Sequence, residues 1–118
     1  MTLSNSGYED LRTYVENNWS FIGLFDNTDT ELIRIDVPND SRASFSSDSG
    51  SNPLRATITL TGEDLFDEGV TLPVTLDHTE VFKTDSTSQE MGSDPVKPAT
   101  IEAQGDEIII DHEYSIPP

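Results

Sequence analysis

The chain has 118 residues, of which 23 are Asp or Glu and only 6 are Lys or Arg, for a formal net charge of −17. That length holds one domain with one core and leaves no room for a cofactor domain beside a substrate domain. It contains no cysteine, which excludes disulfides, thiol nucleophiles and cysteine-based zinc or iron–sulfur centres.

So strong a negative excess repels itself in dilute buffer and opposes a compact state. At molar salt the screening length falls to about 3 Å and the repulsion fades. Two lysines and four arginines among many Asp, Glu, Ser and Thr residues therefore point to a high-salt cytoplasm or a brine. Trp19, five phenylalanines and three tyrosines, set in short periodic runs, argue for a folded domain rather than disorder. The basic residues are scattered, whereas nucleic-acid binding needs Lys and Arg clustered to displace counterions. The longest apolar runs, such as Ile108-Ile109-Ile110, fall far short of the ~20 residues that span a bilayer. No cationic segment followed by an apolar one opens the chain, so no secretion signal is expected.

Ser6 with Glu9 three residues on reads as a capping box. Tyr8, Leu11 and Val15 then recur on one face, which predicts an amphipathic helix over about 6–17. Trp19 to Phe25 reads as a buried strand, and Asp26-Asn27-Thr28-Asp29 as a turn. Leu32 to Val37 is a second strand, with Ile33, Ile35 and Val37 inward, closed by Pro38. Residues 39–52 read as a long loop, or as a strand carrying Phe45 between two loops. Arg55 to Thr61 alternates strictly, with Ala56, Ile58 and Leu60 on the buried side. Gly62 to Gly69 is an acidic turn, or one turn of helix, burying Leu65 or Phe66.

Val70, Leu72, Val74 and Leu76 alternate again, with Pro73 marking an edge or a bulge. His78, Glu80 and Phe82 oppose Thr79, Val81 and Lys83 in a further short run. Residues 84–98 read as the second long loop. Gln104-Gly105-Asp106 is expected to turn a hairpin between Ala99–Ala103 and the last strand, in which Ile108, Ile110, His112, Tyr114 and Ile116 share a face. One domain over 1–118 is expected, all-β (a β-sandwich or jelly-roll-like barrel) with one short N-terminal α-helix.

Catalytic signatures are sparse. There is no Gly-x-Ser-x-Gly elbow and no Ser-x-x-Lys pair. His112 falls among apolar residues and reads as a core histidine, while His78 reads as a surface one. With 23 acids, pairs at glycosidase spacing arise by chance, so no catalytic residue is assigned and an enzyme is not expected. Asp26, Asp29 and Glu31 cluster in one turn, and Asp64, Asp67 and Glu68 in another, both without the EF-hand pattern. The first trio is the candidate site for a structural Ca²⁺ or Na⁺, and no other cofactor is expected. The candidate interface residues are Tyr8, Leu11 and Val15 on the helix and Ile108 and Ile110 on the last strand.

The segments Leu3-Ser-Asn-Ser-Gly-Tyr-Glu-Asp-Leu-Arg12 and Trp19-Ser-Phe-Ile-Gly-Leu-Phe25 resemble the opening of small structural proteins of tailed viruses, a short helix followed by a strand of the type x-x-Ile-Gly-Leu. Thr79-Glu-Val-Phe-Lys-Thr84, a Ser/Thr/Gly loop, Ala99-Thr-Ile101 and Asp106-Glu-Ile-Ile-Ile-Asp-His-Glu-Tyr114 resemble their closing part. Phe82-Lys83 stands here where those proteins carry Leu-Phe. With the salt-adapted composition, the resemblance implies a virion protein of a tailed virus of haloarchaea, as capsid decoration, turret or tail part. Its implied partners are further copies of itself, as a homo-oligomer, and other capsid or tail proteins, without nucleic acid or membrane. The rival expectation is a cellular haloarchaeal β-sandwich module that binds a sugar or a protein.

Overall fold

A computed structural model describes residues 1–45, 54–114 and 116. The chain opens with helix α1 (Asn5–Asn18). Its N-cap is Ser4, whose hydroxyl accepts the Gly7 amide at 3.2 Å, so the expected Ser6/Glu9 capping box does not form. Ser6 already lies inside the first turn. The buried helix face runs through Arg12 and Val15, while Leu11 is 43% exposed.

Strands β1 (Phe21–Asp26) and β2 (Glu31–Asp36) form an antiparallel hairpin. Strand β3 (Ala43–Phe45) lies inside the expected loop 39–52, the remainder of which, from 46 on, is outside the described residues. It pairs with β4 (Leu54–Thr61), whose burial alternates as the sequence predicts. Helix α2 (Gly62–Asp67) follows, its N-terminus closed by a Thr61/Asp64 capping box; it buries Leu65 and leaves Phe66 outside.

Strand β5 (Val74–Phe82) joins two runs that the sequence separates. It begins at Val74, so residues 70–73, expected to open the run, are not strand. Against β1, Phe25 pairs with His78 and Asp26 with Leu76, leaving Asp77 as an extra residue. That bulge reverses the phase of the alternation: Leu76 faces the core before it, and Thr79 and Val81 after it.

Strand β6 (Gly92–Ile101) takes residues 92–98 out of the expected loop 84–98, whose residues 84–91 are not strand, and joins them to the strand expected from Ala99. It is the outer strand of its sheet, where proline costs no ladder bond, and Pro95 and Pro98 both lie in it. Strand β7 (Glu107–Tyr114) pairs with β4 along its whole length. The expected hairpin between β6 and β7 is therefore not a pairing. Residues 102–106 instead carry the chain from one sheet to the other, with the Asp106 carboxylate accepting the amides of Glu102 and Ala103 at 2.9 and 3.1 Å.

The described chain is thus mostly β, in two antiparallel sheets of order β2-β1-β5-β6 and β3-β4-β7, with one long N-terminal helix. Ile22, Leu24, Ile33, Ile35 and Leu76 from the first sheet and Ala56, Ile58, Leu60 and Ile110 from the second belong to one continuous core, joined by Val15 and Leu65 from the helices. Among the described residues, no helix is long and apolar enough to cross a membrane.

Candidate functional site

Two bulges shape the outer face of the four-stranded sheet. In β1, Ile22 and Leu24 point into the core, so Phe21, Gly23 and Phe25 point away from it. In β2, Leu24 pairs with Ile33 and Phe25 with Glu31, which leaves Leu32 as an extra residue. Residues three apart on a regular strand face opposite ways. Across this bulge Glu31 and Arg34 share the outer face, and the guanidinium holds the carboxylate in a fork at 2.8 and 2.9 Å.

The second bulge, at Asp77, sets His78, Glu80 and Phe82 on the same face. Phe82 is 2% exposed yet is not part of the main core. It is covered by Arg34, whose guanidinium carbon sits 3.5 Å from the ring centroid. Arg34 Nη1 also donates to the carbonyls of Thr84 at 3.1 Å and Thr87 at 2.7 Å, drawing that segment over the sheet. Gly23 makes the arrangement possible: a Cβ there would strike the Glu31 carboxylate and approach the Phe82 and Phe25 rings at 3.0 and 3.1 Å.

Beside this cluster lies a polar centre. His78 Nδ1 contacts Asp77 Oδ2 at 2.9 Å, and its Nε2 contacts Glu80 Oε2 at 2.8 Å and Asp29 Oδ1 at 3.3 Å. The imidazole is stacked on Phe25, with centroids 4.9 Å apart and 11° between the planes. Burial opposes its protonation, but the hydrogen bonds and charges of Asp77 and Glu80 outweigh burial, and its pKa rises. Asp29 arrives from the β1–β2 turn with a left-handed backbone, φ 63°. Asp26 fixes that turn by accepting the amides of Thr28 and Thr30 at 2.8 and 3.0 Å and the Thr28 hydroxyl at 2.8 Å. A cleft of about 400 Å³ opens between Asp29, Glu31, Arg34, Glu80 and Thr87.

The expected metal trio is therefore divided. Asp26 is committed to the turn and Glu31 to Arg34, and only Asp29 reaches the polar centre. Asp64 caps α2 and pairs with Arg42 at 3.3 Å. His78, read from the sequence as a surface residue, is the hub of the centre. The signal that would have found it is the Asp77-His78-x-Glu80 spacing, which puts an imidazole and a carboxylate on one strand face.

Of the expected interface residues, Val15 and Ile110 are buried in the core at 5% and 4% exposure and present no surface. Tyr8 and Ile108 are half-buried, and Leu11 is exposed. The apolar side chain that β7 does present is Ile109, 64% exposed. His112 is a core histidine as read: its Nδ1 pairs with the Thr79 hydroxyl, which donates on to the Asp94 carbonyl at 3.3 Å. Burial lowers its pKa.

Comparison with protein-family models, curated proteins and solved structures finds no match for this chain.

Proposed function

We propose that the protein is a non-enzymatic structural subunit that works in repeated copies, a β-sandwich on the particle of a tailed virus of haloarchaea. The observation that carries this reading is the side of β7 turned away from β4, which pairs with no strand among the described residues. That strand is the outer member of its sheet, eight residues long and without proline. Its Glu113 amide donates away from β4, to the Asp94 carboxylate at 3.3 Å. By strand alternation the amides of Asp111 and Ile109 point the same way. Beyond the Glu113–Asp94 bridge, a groove of about 280 Å³ separates β7 from β6, lined by Val96, Ala99, Ile108 and Ile109.

A long strand edge with apolar side chains is a site of strand addition or edge-to-edge association. Another edge is blunted: β6 carries two prolines. The net charge of −17 opposes contact between copies in dilute buffer, and molar salt removes that opposition. Salt-dependent association is the behaviour that composition and edge together support.

Light scattering coupled to size exclusion, run in low salt and at several molar salt, tests the reading. A discrete oligomer is expected at high salt and its loss is expected in Ile109→Asp. A folded monomer under both conditions overturns it.

A further inference from the structure

We propose that Asp29, His78 and Glu80 bind one first-row divalent metal ion of the zinc class, which clamps the β1–β2 turn onto β5. The inference rests on the geometry of the outer sheet face and is independent of the groove between β6 and β7.

One oxygen from each carboxylate and Nε2 of His78 lie within 4.8 Å of one another. With metal–ligand bonds of about 2.0 Å, the edge of a tetrahedral site is about 3.3 Å. The His78 Nε2 to Asp29 Oδ1 separation is 3.3 Å and that to Glu80 Oε2 is 2.8 Å. An ion entering between them needs only a small outward movement of Glu80. Asp29 supplies the freedom for closure, since its side chain is 79% exposed.

The cluster is more than a gathering of acids, because the imidazole is prepared for ligation on its other side. A metal-bound histidine presents one nitrogen to the ion and donates the other N–H to a carboxylate or carbonyl. Here Asp77 accepts from Nδ1 at 2.9 Å, so an ion takes the Nε2 position in exchange for the proton that Nε2 shares with Glu80. Stacking on Phe25 fixes the ring plane. Asp77 reaches that position as the extra residue of the bulge, beyond which His78 and Glu80 share the outer face by ordinary strand alternation. The bulge, the stack and the second carboxylate thus converge on one nitrogen.

The donor set selects the ion. Calcium takes six to eight oxygens, and the nearby Asp26 and Glu31 are held by Thr28, Thr30 and Arg34. One imidazole with two carboxylates suits a first-row transition ion, with water completing the shell from the cleft.

The chain has two histidines, and the buried His112 serves as an internal control. Untagged, metal-free protein in about 1 M NaCl, where loose association of cations with the acidic surface is screened, is titrated with ZnCl₂ while both imidazole ¹H–¹³C resonances are followed. The His78 signal is expected to move to saturation at one ion per chain while His112 stays fixed. Asp29→Asn and Glu80→Gln are expected to weaken binding at least about tenfold, with the unchanged His112 signal reporting that each variant is folded. CaCl₂ is expected to leave His78 in place. A His78 resonance that does not saturate under excess zinc overturns the proposal. So does an affinity unchanged in both carboxylate variants, or an equal response to calcium.

Discussion

The imidazole of His78 lies parallel to the ring of Phe25, 4.9 Å away, while Asp77, Glu80 and Asp29 surround its two nitrogens. One face of the ring is apolar and its rim is anionic. Protonation gives the carboxylates a cation and costs the ring some hydration, and the first effect prevails.

The raised pKa fixes a direction for stability. A histidine that holds its proton more tightly folded than unfolded stabilises the fold below its ordinary pKa of about 6.5, and that contribution is lost as pH rises through the folded value. In metal-free protein, His78→Gln is therefore expected to melt lower than wild type at about pH 5.5. A partly buried ion pair of about 1 kcal/mol corresponds to roughly 4 °C. The gap is expected to narrow as pH rises through the folded value, above which the ring is neutral in both states. His112 acts in the opposite sense: burial holds it neutral, so its contribution is lost as pH falls below about 6.5. Melting curves of wild type and His78→Gln across that range check the assignment, and a gap independent of pH contradicts it.

The glycine at position 23 sets the depth of the outer cluster. Its hydrogen faces Glu31, Phe82 and Phe25 where a methyl group would collide. Glu31 cannot retreat freely, because Arg34 holds both of its oxygens. Gly23→Ala is expected to cost about 1–3 kcal/mol, the range for an added methyl in a packed site. It is also expected to speed hydrogen exchange in the segment around Thr84–Thr87, which Arg34 secures. Urea unfolding with amide exchange measures both, and a variant unchanged in midpoint removes the close packing from the account.

Legibility in the sequence followed the bulges. Strands β2, β4 and β7 lie between a core and a second environment, so their alternation is clean, as Ala56, Ile58 and Leu60 show. Strand β5 was legible only in halves, because the extra residue Asp77 reverses the phase between Leu76 and Thr79. Strand β6 was legible only at its end, where Ala99–Ile101 falls within the expected Ala99–Ala103 strand. It is an edge strand rich in exposed residues, and its prolines signal a loop in any context where the pairing partner is unknown. Asp29 was visible as an acid in a turn, but its neighbour His78 is 49 positions away, brought close by pairing of β1 with β5. No local spacing encodes that contact.

Gly62 stands where the two sheets exchange the chain, and the same connection supplies its own control. A Cβ at Gly62 would meet the backbone of that connection: the Ala103 carbonyl oxygen directly, the Ala103 carbonyl carbon at 2.8 Å and the Gln104 Cα at 2.9 Å. The amides of Gly62 and Glu63 donate across this contact to the carbonyls of Asp106 and Gln104 at 2.8 and 2.9 Å. Any displacement that relieves the clash stretches these bonds, and each is worth about 1 kcal/mol. Gly62→Ala is therefore expected to cost about 3 kcal/mol or more, strain and hydrogen bonds together. Gly105 lies in the same connection, but a Cβ there meets nothing within 4 Å, so Gly105→Ala is expected to fall within about 0.5 kcal/mol of wild type. Denaturant midpoints of the two variants, measured in the same high-salt buffer, decide the point. Equal costs would mean that the 102–106 connection does not rest on the start of α2 in solution.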